Sequence, residues 1–214
     1  MKNLNEEMDK KQKILHAIYE NPRKVGYKPT SSEKLIVEKL REWMQKKESY
    51  NGKIICGEHG VGKTFAIRYF LSQMGLLDEA YVHLNNLVLQ ELKKRNILPT
   101  MKRQINKELR EVVEKVKAKK PYPILAFDSC EVLMLLDSSD RNRFFRDVHY
   151  SKEKIVVVVP TELDPQIPSI TIRMPSLSKE DCKIVVENLG TWHSEEWYDN
   201  LPLNCPLTYI IKEA

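Results

Sequence analysis

The sequence predicts an α/β fold in which helices cover both faces of a parallel β-sheet. Short apolar segments, of which residues 124–127 and 155–159 are the clearest, alternate with longer segments whose apolar residues recur at helical spacing. Strands that alternate with helices are joined by crossovers, and crossovers make neighbouring strands parallel and bury both faces of the sheet. Four of the seven glycines fall within residues 52–62, which indicates a backbone segment that another group must approach closely.

The predicted elements form one α/β domain with helical additions at both ends. Predicted strands cover residues 53–56, 80–84, 124–127, 155–159 and 170–173. Predicted helices cover residues 8–20, 31–45, 63–74, 87–94, 100–119, 140–150, 178–189, 195–199 and 206–213. Thr30 and Glu33 have the spacing of a capping box, which opens the second of these helices, and residues 178–181 cap the helix that runs to Leu189. We therefore expect an N-terminal helix within residues 1–20, an α/β domain over 21–175 and a small helical tail over 176–214.

Composition excludes several classes of protein. With 214 residues, of which 42% are hydrophobic and 30% charged, the chain can bury a core and is not disordered. No apolar run approaches the ~20 residues that a membrane-spanning helix needs, and the N-terminus lacks the apolar segment of a secretory signal. The four cysteines are far apart and form no Cys-x-x-Cys pair, which argues against a zinc knuckle or a disulfide framework. We expect a cytoplasmic protein with no membrane partner.

The formal net charge of +5 is unevenly distributed. Residues 93–120 contain eleven Lys or Arg and three Glu, a local net charge of +8, so the remainder of the chain is slightly acidic. Such a segment can attract nucleic acid or an acidic partner, and its candidate DNA contacts are Lys102, Arg103, Lys107 and Arg110. Because the apolar residues of the same segment recur at helical spacing, the charges are alternatively the solvated face of an amphipathic helix.

Residues 57–64 match the pattern G-x-x-x-x-G-K-[ST] between a predicted strand and a predicted helix, which is the context that this motif requires. Its glycines allow successive main-chain N–H groups to surround phosphate oxygens, and the start of the helix adds its positive dipole end. Lys63 is expected to bridge the β- and γ-phosphates, and the Thr64 hydroxyl to bind Mg²⁺. The candidate nucleotide-binding residues are Gly57, Glu58, His59, Gly60, Val61, Gly62, Lys63, Thr64 and Phe65.

Asp128 follows the predicted strand at residues 124–127. A phosphate loop needs a carboxylate on a neighbouring strand to hold Mg²⁺, and Asp128 is the candidate, with the metal held through water. The alternative is an ordinary aspartate at the end of a strand. In the commonest pattern a glutamate directly follows this aspartate and orients the attacking water, but here that position is Ser129. We therefore expect slow hydrolysis.

Three further residues are candidates for the hydrolytic step. Glu131 lies one turn beyond Asp128 if a helix begins there, and it is otherwise a surface or capping carboxylate. Thr161 follows the strand at residues 155–159, where a polar side chain can face the γ-phosphate, and Glu162 is a candidate for the missing carboxylate. The ordinary chemistry of a Pro-Thr-Glu turn explains the last two residues equally well.

Residues 20–214 resemble the AAA+ branch of the P-loop ATPases. Residues 57–64 resemble its Walker A motif, residues 124–128 its Walker B motif, and Thr161 falls at its sensor 1 position. The resemblance implies a three-layer P-loop NTPase fold with a parallel five-stranded sheet, strand order 5-1-4-3-2, followed by a short helical lid. It also implies an ATPase, converting ATP and water to ADP and phosphate, with ATP and Mg²⁺ as cofactors.

Within AAA+, residues 81–85 and 128–133 are most similar to the initiator and helicase-loader clade, which includes the origin-recognition ATPases. Residues 204–207, Asn-Cys-Pro-Leu, resemble an element in the lids of STAND switch ATPases, which implies that Pro206 lies near the adenine. The AAA+ resemblance places Tyr27 in the region that lines the adenine pocket. There Tyr27 either stacks on the base or is a packed surface tyrosine.

The sequence departs from the family in two respects besides Ser129. No arginine stands just before the fifth strand, where the family has its arginine finger, and the candidate substitutes are Arg141, Arg143 and Arg146. The lid is short and has no clear arginine at the family's sensor 2 position. These departures leave the resemblance strongest in the phosphate loop.

The sequence therefore favours a Mg²⁺- and ATP-binding ATPase that acts as a nucleotide-dependent switch or motor in DNA transactions, such as replication initiation or helicase loading for a virus or mobile element. Its expected partners are ATP or ADP, DNA through the basic helix at residues 100–120, and further copies of the chain or a protein partner. One alternative is a regulatory ATP-binding module that switches a protein partner without contacting DNA. Another is a phosphoryl transferase built on the same loop.

Overall fold

Five strands form a single parallel sheet. They are β1 (Gly52–Gly57), β2 (Tyr81–His83), β3 (Leu125–Asp128), β4 (Ile155–Pro160) and β5 (Thr171–Arg173), in the spatial order β2-β3-β4-β1-β5. The computed structural model describes residues 2–46, 50–119, 122–202 and 205–213, so Met1, Lys120 and Asn204 of the segments predicted above lie outside the described residues. The sheet confirms the predicted fold class and the strand order that the family resemblance implied.

The carboxyl ends of β1, β3 and β4 lie at the same edge of the sheet. The β2–β3 and β3–β4 pairs are parallel. β4 and β1 also start together, since the Ile155 N–H donates to the Asn51 carbonyl at 2.9 Å, and they end together, since Cys56 Sγ lies 3.8 Å from the Pro160 carbonyl oxygen. Polar residues that follow these strands, such as Asp128, are therefore displayed along one edge, where open α/β sheets bind their ligands.

Two helices precede β1, and the others lie between the strands or follow β5, as the alternating pattern predicted. Their bounds are α1 (Lys2–Glu20), α2 (Ser31–Gln45), α3 (Lys63–Gln73), α4 (Leu77–Ala80), α5 (Leu84–Lys94), α6 (Lys102–Lys117), α7 (Ser138–His149), α8 (Lys179–Asn188), α9 (Glu195–Asp199) and α10 (Leu207–Glu213). Two 3₁₀ turns cover Glu131–Leu135 and Thr161–Leu163. None of the helices in the described part of the chain is both long and apolar enough to cross a membrane.

Most differences from the predicted elements lie at their ends. Helix α5 begins at Leu84 rather than at residue 87, because the ring nitrogen Nδ1 of His83 accepts the Asn86 N–H at 3.4 Å and caps the helix. Helix α6 begins at Lys102 rather than at residue 100. The four-residue helix α4 was not predicted, since a single turn carries no periodic signal.

The chain divides into two compact units. The first comprises Met1–Arg41, Gly57–Leu77 and Met174–Ala214, and the second comprises Glu42–Cys56 and Asp78–Arg173. The second unit contains the sheet apart from the last residue of β1, the last turn of α2, α4 apart from its first residue, and helices α5 to α7. Its core joins the strands to apolar residues of α5, α6 and α7, with Phe127, Ile105 and Phe145 among the most buried.

The first unit contains the phosphate-loop segment, helices α1 and α3, nearly all of α2, and the C-terminal helices. The predicted capping box opens α2, since the Thr30 N–H donates to Glu33 Oε2 at 2.8 Å and the Glu33 N–H donates to Thr30 Oγ1 at 3.2 Å. A second apolar cluster joins α8, α9 and α10 and extends to Leu15 of α1 and Phe65 of α3. Helices from both ends of the chain thus surround the segment that follows the loop.

Candidate nucleotide-binding site

The loop at residues 57–64 has the backbone that its glycines predicted. It leaves β1 at Gly57 and enters α3 at Lys63, with φ of +78° at Gly60 and +98° at Gly62. Residues other than glycine rarely adopt such left-handed backbone conformations, so glycine is favoured at both positions. The loop therefore has the left-handed glycines and the following eleven-residue helix that phosphate loops share.

Lys63 folds back over the loop. Its ammonium group donates hydrogen bonds to the main-chain oxygens of Gly57 at 2.7 Å and of Glu58 at 2.6 Å. These contacts keep the charge within the loop, and an ammonium group has three donors that can be redistributed to phosphate oxygens. Thr64, the other polar end of the motif, is half-buried at the start of α3.

The start of α10 packs directly on the loop. The Leu207 N–H donates to the Gly60 carbonyl at 2.6 Å, and a Cβ atom added to Gly60 would lie 2.8 Å from the Cβ of Pro206. The structure thus brings Pro206 to the phosphate loop itself. That Pro206 lies near an adenine stays a prediction. Asn204 of the same sequence element lies outside the described residues.

An apolar pocket lies beside the loop in the first unit. Side chains from α1, α3, α8 and α10 line it, together with Tyr27 from the segment before α2. The Tyr27 ring stacks on Phe65, with centroids 5.9 Å apart and planes inclined by 29°. Since Phe65 directly follows Thr64, the wall of this pocket is continuous with the phosphate loop.

Glu33 also lies beside Tyr27 and the loop. The sequence indicated only its place in the capping box of α2. Its side chain is buried, and the Tyr27 hydroxyl lies 2.8 Å from both carboxylate oxygens. A Cβ atom added to Gly62 would lie 2.8 Å from Glu33 Oε1, so the carboxylate rests against the loop. Burial raises the pKa of Glu33 to about 7, although hydrogen bonds from Tyr27 and Thr30 act in the opposite direction.

Asp181 joins the start of α8 to the start of α2. Its Oδ1 accepts the Ser31 N–H at 2.6 Å, and its Oδ2 accepts the Ser32 hydroxyl and the Ser178 N–H, each at 3.2 Å. Burial by itself raises the pKa of Asp181, but the hydrogen bonds from Ser31 and Ser178 outweigh it and lower the pKa. The predicted cap of α8 therefore also connects the start of α8 to the start of α2.

In the second unit, Asp128 ends β3 with its carboxylate buried. Oδ2 accepts the hydroxyl of Tyr81 at 2.6 Å, and Oδ1 accepts the N–H of Ser129 at 2.7 Å. Ser129 has a left-handed backbone, with φ of +54°, and its carbonyl accepts the Asn85 N–H at 3.0 Å. The residue in the glutamate position of the common pattern therefore has a left-handed backbone and is hydrogen-bonded to the first turn of α5.

The other candidate residues for hydrolysis follow β3 and β4. A 3₁₀ turn begins at Glu131, which is half-buried, so the turn assumed in its prediction exists. Thr161 and Glu162 open a second 3₁₀ turn and are exposed, whereas Leu163 after them is buried. Their roles in hydrolysis stay predictions.

The four basic candidates on α6 differ in their ionic partners. Lys102 forms an ion pair with Asp137 at 2.6 Å, and Lys107 lies 3.8 Å from Glu111. Arg103 is exposed, and Arg110 donates to Asn106 Oδ1 at 3.3 Å. Ile105, Leu109, Val112 and Val116 of the same helix are buried. The helix is amphipathic as predicted, and carboxylates compensate part of its positive charge.

The residues present fit Mg²⁺ held together with phosphates better than a metal held by protein groups alone. Within the described residues, no three His, Cys, Asp or Glu side chains form a group that could hold a metal ion. Mg²⁺ usually binds one or two carboxylates, water and substrate phosphates. The Asp128 carboxylate suits that role, since its two hydrogen bonds leave about two of its four acceptor positions unused.

Comparison with known proteins identifies structural likeness only. No protein-family model matches the chain, and no curated protein matches its sequence. Among solved structures, domain III of the Thermotoga maritima replication initiation protein DnaA matches with a TM-score of 0.52 and 17% identity, over 85% of this chain and 81% of that one. AMPPCP-bound DnaA from Aquifex aeolicus matches with a TM-score of 0.52 and 18% identity, over 87% of this chain but only 61% of that one.

Proposed function

We propose that the chain is a Mg²⁺- and ATP-binding AAA+-like ATPase that serves as a nucleotide-dependent switch or motor in DNA transactions. Its α/β fold, which is similar to that of the DnaA structures, supports this proposal. The observation that carries this proposal is the loop between β1 and α3, where the complete phosphate-binding motif has left-handed glycines and opens a helix. The structural likeness to DnaA, one example of which is bound to AMPPCP, supports a nucleotide as the ligand.

The phosphates would bind at residues 57–64. Lys63 would exchange its hydrogen bonds to the main-chain oxygens of Gly57 and Glu58 for bonds to the β- and γ-phosphates. The base would enter the apolar pocket, where Tyr27 and Phe65 offer aromatic surface. Pro206 would close that end of the site in the manner of a STAND lid, since its neighbour Leu207 is bonded to the loop.

Mg²⁺, when bound, would neutralise charge on the β- and γ-phosphates as the γ-phosphoryl group is transferred to water and ADP is released. The Thr64 hydroxyl and the Asp128 carboxylate would hold it, the carboxylate through water. Glu131, Thr161 and Glu162 are the candidates to position water or sense the γ-phosphate. Because Ser129 occupies the usual glutamate position, we propose slow turnover and a protein whose ATP and ADP states differ mainly in conformation.

DNA is the proposed partner, bound through α6, and replication initiation or helicase loading is the proposed process. The net positive charge of residues 93–120 and the likeness to a replication initiation protein support this. Further copies of the chain or a protein partner would bind together with DNA. The proposed location is the cytoplasm. The ATP state would then differ from the ADP state in its affinity for these partners.

Binding of a fluorescent ATP analogue in the presence of Mg²⁺ tests the nucleotide site. Lys63→Ala should weaken binding tenfold or more, because a charge-assisted hydrogen bond contributes about 1.5–3 kcal/mol. Lys39→Ala, an exposed lysine of α2, is the matched control and should bind like the unaltered protein. Equal affinity of all three proteins would refute the phosphate site.

ATPase rates measured without DNA and with single- or double-stranded DNA test the process. We expect a slow ATPase rate that changes severalfold when DNA is added. The variant Asp128→Asn should have no ATPase activity. Phosphate transfer to an acceptor other than water would instead favour a phosphoryl transferase.

The second candidate is a regulatory ATP-binding module that switches a protein partner without DNA. The ion pairs of Lys102 and Lys107 favour it, because they compensate charge that DNA binding would use. Tight ATP binding with negligible turnover, and no binding of a DNA probe at low salt, would support this candidate over the first.

A further inference from the structure

The Asp128 carboxylate has two hydrogen-bonding partners in the part of the chain that the structure describes. Oδ1 accepts the N–H of Ser129, which directly follows it, and Oδ2 accepts the hydroxyl of Tyr81 from the neighbouring strand β2. We infer that Tyr81 is a positioning residue, which holds the Asp128 carboxylate in the orientation that binds nucleotide-associated Mg²⁺. This inference rests on the proposed function, since it takes Asp128 as the metal-binding carboxylate.

The strand register explains how the two side chains meet. Tyr81 pairs with Ala126, two residues before Asp128, and side chains two residues apart on a strand point to the same face of the sheet. The phenol ring reaches along the strand from this position, so that its hydroxyl meets the carboxylate at 2.6 Å. Rotation of the terminal carboxylate is otherwise weakly restricted, and a donor on each oxygen fixes it.

The chemistry of the donor favours a role towards a cation. An O–H···O⁻ distance of 2.6 Å falls in the range of charge-assisted hydrogen bonds, which are about twice as strong as neutral ones. A lysine or arginine partner would compensate the negative charge and compete with Mg²⁺. A phenol orients the carboxylate without compensating its negative charge. It also leaves acceptor positions of the carboxylate for metal-bound water.

The ring of Tyr81 has a separate packing role that can be kept while the hydroxyl is removed. It is half-buried and lines an open groove along the edge strand β2, together with Val82, Leu87 and Tyr122. Tyr81→Phe therefore retains the ring in this groove and removes the hydroxyl that donates to Asp128. Tyr122→Phe removes a hydroxyl from the same groove and is the matched control.

The test is a Mg²⁺ titration of the full chain with a bound fluorescent ATP analogue, which measures the half-saturating Mg²⁺ concentration without reference to turnover. Tyr81→Phe should raise this concentration about tenfold, the loss expected for one charge-assisted hydrogen bond. Binding of the analogue in EDTA should change little. The thermal midpoint in EDTA should fall by about a few degrees, because the buried carboxylate loses one donor. Tyr122→Phe should respond to Mg²⁺ like the unaltered protein.

The variant Asp128→Asn distinguishes failure of the inference about Tyr81 from failure of the proposed role of Asp128 in binding Mg²⁺. If Asp128→Asn raises the half-saturating Mg²⁺ concentration and Tyr81→Phe does not, Tyr81 has no positioning role and only the inference fails. If neither variant changes the Mg²⁺ response, Asp128 is not the metal-binding carboxylate, and both the inference and that part of the proposed function fail. An equal change in Tyr122→Phe would also overturn the inference, since it would assign the effect to the groove.

Discussion

A carboxylate oxygen of Glu33 rests against Gly62 of the phosphate loop, so closely that a Cβ atom on Gly62 would lie 2.8 Å from it. The same carboxylate accepts the hydroxyl of Tyr27, whose ring lines the apolar pocket. Glu33 therefore connects the pocket proposed for the base with the loop proposed for the phosphates. Its burial also makes this connection sensitive to pH, because the charged form lies away from water.

Gly62→Ala should lower the free energy of unfolding by about 2–4 kcal/mol, the sum of a left-handed backbone strain and a steric clash with Glu33. Gly190→Ala is the matched control, since Gly190 also has a left-handed backbone, at φ of +68°, but its added Cβ would meet nothing within 4 Å. The control should lose only about 1–2 kcal/mol. Urea denaturation measures both values, and equal losses would show that Glu33 does not press on the loop.

Stability should depend on pH through Glu33. Its pKa is about 7 in the folded protein and near the ordinary 4.5 when unfolded, so the folded state holds a proton that the unfolded state releases. Its contribution to stability is therefore fully present below pH 4.5 and is lost as the pH rises through about 7. Glu33→Gln should remove this decline between pH 4.5 and 7.

Unfolding free energies of both proteins, measured by urea denaturation across that range, check the prediction. Glu38→Gln, an exposed residue of the same helix, should keep the decline. A profile for Glu33→Gln that runs parallel to that of the unaltered protein would contradict the assignment to Glu33.

Asp181→Ala should destabilise the protein by about 3 kcal/mol. It removes the Asp181 half of the α8 capping box, which contributes about 1 kcal/mol, and it takes the acceptor from the Ser31 N–H and from the buried Ser32 hydroxyl. Ser178→Ala removes only the cap and should cost about 1 kcal/mol. Thermal or urea unfolding of the two variants distinguishes these effects, and equal losses would mean that the contact between α8 and α2 contributes nothing.

Reversing the charges of Lys102, Arg103, Lys107 and Arg110 should weaken DNA binding and reduce its dependence on salt concentration. Each phosphate contact that is lost lowers the slope of log affinity against log salt by about 0.9 on duplex DNA. Reversal of three exposed lysines in or directly after α2 (Lys34, Lys39 and Lys46) is the control and should leave the slope unchanged. Unchanged binding by the α6 variant would remove the DNA hypothesis.

Local patterns in the sequence predicted the elements correctly where they are long. Strand β4 was predicted from five consecutive apolar residues and helix α6 from its apolar spacing, because burial of a continuous run or of one helix face leaves a periodic trace. The 3₁₀ turn at Glu131–Leu135 and the cap at His83 left no such trace. They are decided by a few hydrogen bonds rather than by a repeated pattern.

The amino-acid sequence by itself determined the phosphate loop, the alternation of strands and helices, and the caps of α2 and α8, since each depends on residues a few positions apart. Only the tertiary structure decided that Glu33 faces Gly62, that Tyr81 bonds to Asp128, and that Leu207 bonds to Gly60. These pairs are separated by 29, 47 and 147 positions in the sequence. No local periodicity specifies such contacts, because they depend on how the remaining chain packs once its apolar surfaces are buried.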